Sequence, residues 1–355
     1  MARSVSIPPA LRDRAAYRAA RAMSALPPRA QIRLSGGIPV EVDGQRLEPE
    51  IQLTLAMLER QGDLRFELLD PPAAREHARR QSVTFAGPAV AVGAVRDLTV
   101  EGAAGPLRAR LYSPEEPGGP HPLLVFLHGG GFVIGDLDTH DGACRLLCRH
   151  AGAHLLAIDY RLAPEHPFPA ATDDAWAAVR WAAAHAEELG ADPGRLAVGG
   201  DSAGGNLAVG VALLLRETDP DIKLAGLLVN YGVLDSDTTK PSYVEFADGF
   251  TLTQAKMRFY WECYCPEPAL RVTPFAAPIR ADLRGLPPVL VQIAELDVLS
   301  GENHAFVAKL REAGVPVEHV VFAGTIHGFL RALGHVPAAD RAVAEACDWM
   351  RRLGG

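Results

Sequence analysis

Long apolar runs are missing from this chain. The longest, Leu207 to Leu215, falls far short of the ~20 residues that a bilayer-crossing helix needs, so no integral membrane segment is expected. Basic charge is not in surplus either. Lysine and arginine number 35 against 43 aspartates and glutamates, a formal net charge of −8, which argues against a nucleic-acid partner. Cysteine is scarce: five residues, at 144, 148, 263, 265 and 347, in no disulfide-framework spacing, which suits a reducing compartment. Cys144 and Cys148, with His140 and His150 nearby, lack the second pair that a structural metal site needs. They read as buried small hydrophobes, and no metal is expected. No basic-then-apolar leader with a small-residue cleavage site opens the sequence, so the expectation is a cytoplasmic protein.

Apolar content and glycine are what the chain has in quantity. A hydrophobic fraction of 48% over 355 residues supports one large α/β domain with an appended cap, or two ordinary domains. Glycine is placed most tellingly in Gly200-Asp201-Ser202-Ala203-Gly204-Gly205-Asn206. The apolar run Arg195 to Val198 precedes it, and the apolar-periodic run Leu207 to Leu215 follows. That pattern predicts strand, tight turn and helix, with Ser202 at the tip of the turn. Gly-x-Ser-x-Gly in this setting is the nucleophile elbow of an α/β-hydrolase. The turn puts Ser202 in strained backbone, and side chains at Gly200 or Gly204 would collide with the neighbouring strand and helix. The helix that follows aims its positive end at any oxyanion formed there. The same glycines could serve only to pack a helix on a sheet. Motifs elsewhere in the chain decide between the two.

Leu123 to Leu127 is apolar throughout, as in a strand buried on both faces. It runs into His128-Gly129-Gly130-Gly131-Phe132. Three glycines at a strand's end let backbone N–H groups point into a cleft, which is what a developing alkoxide requires. His128 reads as a brace for the loop. A strand over His154 to Ile158 leads to Asp159-Tyr160-Arg161-Leu162-Ala163-Pro164-Glu165-His166-Pro167-Phe168-Pro169. Asp159, Arg161 and Glu165 are expected to form a network that stiffens this loop.

Taken together, His128 to Phe132, Asp159 to Pro169 and Gly200 to Asn206 resemble the bacterial hormone-sensitive-lipase-like family of esterases (family IV). The likeness runs from about Leu47 to near the C-terminus. The resemblance implies an α/β-hydrolase fold: an eight-stranded, mostly parallel sheet with helices on both faces and a helical cap. It implies hydrolysis of short- to medium-chain carboxylic esters with no cofactor. The acid of this fold follows the seventh strand, where Asp297 takes the family position after Pro287 to Ala294. Glu295, two residues earlier, points the same way along an extended chain and is its competitor. His327 sits in a glycine-flanked loop after the presumed last strand, which gives the chain order Ser202, Asp297, His327. The expected oxyanion donors are the N–H groups of Gly130, Gly131 and Ala203, with Gly129 shaping the turn.

The expected organisation is an N-terminal extension and first part of the cap over 1–93, then a catalytic domain over 94–355 with a cap insertion at about 235–278. Within 1–46, seven arginines face one acid before Glu41, read as an alanine-rich helix with a solvated arginine face. Amphipathic helices are expected over Glu48 to Gly62 and Ala73 to Gln81. In the insertion, Phe246, Phe250, Phe259, Tyr260, Trp261 and Tyr264 could line a pocket or hold the cap together. Asn230-Tyr231-Gly232 stands where the family more often has tyrosine then proline, which bears on the acyl pocket. The expected partner is a small-molecule ester. A deacetylase, lactonase, amidase or peptidase on the same triad, a non-catalytic binding protein, and a homodimer all stay open.

Overall fold

The computed structural model describes residues 9–61, 69–86, 89–115 and 119–353. Two helices, α1 (Pro9–Ser24) and α2 (Pro28–Leu34), come first, separated at Pro27. The side chains of Arg18, Arg21, Arg29 and Arg33 are exposed, as a solvated arginine face requires. Short strands β1 (Glu41–Val42) and β2 (Gln45–Arg46) form a two-residue hairpin, followed by α3 (Pro49–Gln61) and α4 (Pro71–Ala86). The antiparallel pair β3 (Ala94–Gly102) and β4 (Gly105–Ser113) then opens the main sheet.

The chain continues through β5 (His121–Leu127), α5 (Asp141–Ala151), β6 (His154–Ile158), α6 (Ala170–Ala184), β7 (Ala191–Asp201), α7 (Ala203–Thr218) and β8 (Gly226–Asn230). Helices α8 (Pro241–Glu245) and α9 (Gln254–Tyr264) follow within residues 235–278. The fold is completed by β9 (Val289–Leu296), α10 (Ser300–Glu312), β10 (Val317–Ile326) and α11 (Pro337–Arg352). The eight-stranded sheet has the order β10-β9-β8-β7-β5-β6-β4-β3, parallel from β10 to β6 and antiparallel at the β4 and β3 edge. This is the α/β-hydrolase architecture.

The handedness of the crossovers sorts the helices. From β5 to β6 the chain steps toward the β3 edge, and from β7 onward it steps toward the β10 edge. Right-handed connections therefore put α5 on one face and α7 and α10 on the other. Helix α11 packs back against α5, and α6 packs against α7. The strands β5, β6, β8 and β9 are buried along nearly their whole length, as is β7 from Leu196 onward, which is why they read as apolar runs. By contrast, β3 is exposed along most of its length, as an edge strand can be.

The reversal of direction falls between β5 and β7, where Leu127 pairs with Gly200. Ligands of open α/β sheets bind outside the carboxyl ends of strands at such a point. Neighbouring register carries the line across the sheet: Asp201 pairs with Asn230, and Asn230 with Gln292. The loops that leave β5, β7, β9 and β10 thus emerge side by side.

The elbow demands close backbone approach. A Cβ on Gly204 would stand 1.8 Å from the Leu127 carbonyl oxygen, and one on Gly200 2.2 Å from the same atom. Neither contact can relax without pulling β5 from the start of α7. Gly204→Ala is expected to cost about 3 kcal/mol of stability or to prevent folding, read as a fall in the urea midpoint or loss of soluble protein.

Candidate active site

Ser202 follows β7 and caps α7 with φ 54° and ψ −117°, a region that a non-glycine residue rarely adopts. The conformation is held from both sides: the Ser202 N–H donates to Asn230 O at 2.8 Å, and Val233 N–H donates to Ser202 O at 3.1 Å. Its Oγ lies 2.9 Å from His327 Nε2. His327 Nδ1 lies 2.7 Å from Asp297 Oδ2. A carboxylate accepts, so the imidazole proton sits on Nδ1 and the Nε2 lone pair faces the serine hydroxyl. Asp297 is almost fully buried, and its other oxygen accepts the Leu299 N–H at 3.0 Å.

Glu295 does not reach the histidine. Its Oε2 accepts the Gly324 N–H at 2.7 Å, at the entrance to the histidine loop. Two carboxylates that share one local sequence signal are therefore separated by what each faces.

In the loop after β5, Gly129 N–H is committed to Asp201 Oδ1 at 2.8 Å. Gly130 turns the chain through its carbonyl, which accepts from Val133 and Ile134 N–H. Gly130, Gly131 and Phe132 all have positive φ. Asp201 is buried, yet its carboxyl is held down at about 2. Burial alone would raise it, and the His140 imidazole 3.2 Å away, Arg331 and the Gly129 N–H together outweigh burial. His128 is a neutral brace. Burial pushes its imidazole down to about 4, its Nδ1–H donates to Gly129 O at 2.9 Å, and its ring stacks on Tyr160. The Tyr160 hydroxyl donates back to His128 O at 2.6 Å.

Around this centre the structure adds contacts that no local signal marked. Tyr231 presents its ring edgewise to His327 with centroids 4.9 Å apart, and its own backbone has φ 37°. Its place at the end of β8 therefore bears on the histidine. Thr251 Oγ1 donates to His327 O at 2.8 Å, and the buried Lys256 ammonium donates to Thr251 O at 2.8 Å. Helix α4 is tied down through Arg75, which donates to Val133 O and Ala163 O and grips Glu165 with two bonds of 2.9 and 2.6 Å.

The expected Asp159, Arg161 and Glu165 network is not formed. Asp159 meets Arg108, Arg161 meets the fully buried Asp174, and Glu165 meets Arg75. The loop is stiffened, but each charge is satisfied from a different part of the chain. The insertion aromatics Phe246, Phe250, Tyr260, Trp261 and Tyr264 are buried. Tyr264 stacks on Phe132 at 3.6 Å, and the Tyr260 ring sits where a Gly131 Cβ would be. Among the described residues no cluster of three or more His, Cys, Asp or Glu could hold a metal. No helix among them is long and apolar enough to cross a membrane.

Helix α10 braces the turn after Asp297 against the exit of β8. Asn303 accepts from Gly232 N–H and donates to Gly232 O and Leu299 O, while Glu302 Oε1 accepts from Leu234 and Asp235 N–H. Glu302 is wholly buried, and burial pushes its carboxyl up to about 8 from an ordinary value of 4.5, against the pull of those two N–H groups. Between these values the native state holds a proton that the unfolded chain releases, so this group's contribution to stability falls as pH rises. Glu302→Gln removes that titration. The stability of the variant relative to wild type, from urea unfolding, is expected to increase between about pH 5 and about pH 8.

A family model for the α/β-hydrolase fold matches residues 124–331. The carboxylic ester hydrolase LipN of Mycobacterium tuberculosis is 42% identical over 314 residues, covering 86% of this chain and 82% of that protein. The ethyl acetate hydrolase of Pseudomonas putida is 34% identical over 291 residues, covering 80% and 91%. Among solved structures, a hyperthermophilic esterase from Pyrobaculum calidifontis matches with a TM-score of 0.80 at 35% identity, over 86% of this chain and 98% of that one. This chain belongs to the hormone-sensitive-lipase-like family of α/β-hydrolases.

Proposed function

We propose that the protein is a serine carboxylesterase acting on short- to medium-chain esters without a cofactor. The observation that carries the reading is the unbroken chain from Ser202 Oγ through His327 to Asp297, at 2.9 and 2.7 Å. The names of the relatives, carboxylic ester hydrolase and esterase, support the same activity.

In this reading Ser202 Oγ attacks the ester carbonyl carbon as its proton passes to His327 Nε2, and Asp297 stabilises the imidazolium. The N–H groups of Gly130, Gly131 and Ala203 receive the oxyanion, with Gly129 held by Asp201 as the pivot of their loop. The carbon–oxygen bond to the alcohol then breaks, and His327 returns the proton to the leaving oxygen. Water attacks the acyl-enzyme by the same route, giving the carboxylic acid and free Ser202. Helices α3 and α4, which follow an N-terminal extension, act with residues 235–278 as the cap over this centre. We place the enzyme in the cytoplasm, acting on small-molecule esters.

Hydrolysis of p-nitrophenyl esters from acetyl to palmitoyl tests this directly. The expected result is a rate that peaks at short or medium chains and falls at least ~10⁴-fold in Ser202→Ala and His327→Ala. Wild type and Ser202→Ala equally inert on every chain length would overturn it.

A further inference from the structure

A cavity of about 90 Å³ lies against His327, between α3, α4 and the loop that follows β10. Its walls are largely apolar, with Ile51, Leu58, Ile326, Phe329 and Val336 among them. The uncharged polar groups at its edge come from Thr54, Gln81, Ser82 and Thr251. Apart from His327, the described residues of the lining include one charged side chain, Arg331, and no carboxylate. Arg331 is exposed, and among the described residues its guanidinium has no ion-pair partner. The bare backbone of Gly328 lets that guanidinium lie beside the histidine loop: a Cβ there would stand 3.3 Å from an Arg331 terminal nitrogen. Arg331 also borders the buried chamber that contains Asp201, whose charge it helps stabilise through space. Asp201 itself is already engaged by Gly129 N–H and His140.

Which part of an ester this cavity takes follows from the chemistry. The group that protonates the leaving oxygen must come within hydrogen-bond reach of it, so the alcohol part leaves beside His327, the residue through which this cavity adjoins the triad. An apolar body fits the walls. A guanidinium with free donors at the edge matches a carboxylate or phosphate in a planar, two-bond geometry, and it does so in a chain whose net charge of −8 would otherwise repel anions.

We propose that Arg331 is a specificity-determining residue, selecting esters whose alcohol part is an apolar body bearing an anionic group. This rests on the esterase reading above and deepens it. An arginine this exposed is screened by water and salt, so the preference is modest, about threefold to tenfold in kcat/KM.

The test compares 4-acetoxybenzoate with 4-acetoxybenzamide, which share an acyl group and an aromatic body and differ in the charge of the alcohol part. The ratio of kcat/KM for the anion to that for the amide is measured in wild type, Arg331→Met and Arg331→Lys, with Ser202→Ala as the blank. Intrinsic differences in ester reactivity are common to all variants and cancel. The expected result is a fall in the ratio of about threefold to tenfold in Arg331→Met, partial recovery in Arg331→Lys, which restores the charge but not the two-bond geometry, and a wild-type ratio that declines as salt is added. An unchanged ratio in Arg331→Met overturns the proposal. So does an equal loss on both esters, which would assign Arg331 to the support of Asp201. Absence of Ser202-dependent hydrolysis of both esters overturns this inference alone where the p-nitrophenyl esters are still hydrolysed, and overturns the esterase reading with it where they are not.

Discussion

The end of β5 presses against the turn that carries Ser202, and the rest of the site depends on that contact. The Leu127 carbonyl occupies the space that any side chain at Gly200 or Gly204 would need. Only with both positions bare can β5 and β7 stay paired through Leu127 and Gly200 while α7 starts one residue after the serine. The approach sets Ser202 at the tip of a strained turn and delivers the triple-glycine loop beside it. Strain of this kind persists only where the surroundings over-determine it. Here Asn230, Val233 and Leu127 do so together.

Asp201 shows how one buried charge serves two elements. It sits next to Ser202 in the chain, yet its side chain reaches back to Gly129 in the loop after β5 and across to His140. A carboxylate taken out of water must find compensating partners, and these three groups stabilise one another. Turn, loop and the start of α5 are thereby fixed as one unit. On the other side of Ser202, Glu302 and Asn303 on α10 fix the exit of β8, and Tyr231 from that exit meets the ring of His327. The histidine loop is thus supported from the insertion through Thr251 as well as from Asp297.

The parallel strands were legible because burial on both faces leaves an unbroken apolar run, and the residues that end them are polar or glycine. Ser202, Asp297 and His327 stood out for the same reason: each follows such a run. Spacing alone did not separate Glu295 from Asp297; the family position did. Two residues apart on an extended chain, they carry the same local signal, and the choice is made by the position of the loop after β10. The charges of Asp159, Arg161 and Glu165 were placed in the right loop but assigned to one another. Their partners Arg108, Asp174 and Arg75 lie on β4, α6 and α4, and nothing in sequence spacing encodes those encounters.

Local chemistry therefore determined the elements and the order of the polar residues at their ends: apolar runs, glycine turns and helical periodicity are short-range properties of the chain. The tertiary structure decided which carboxylate faces His327, which of the loop's N–H groups Asp201 takes, and where Arg331 comes to rest relative to α3 and α4. Each of these depends on strand order and on contacts between segments far apart in sequence, which are fixed only when the sheet closes and its loops meet.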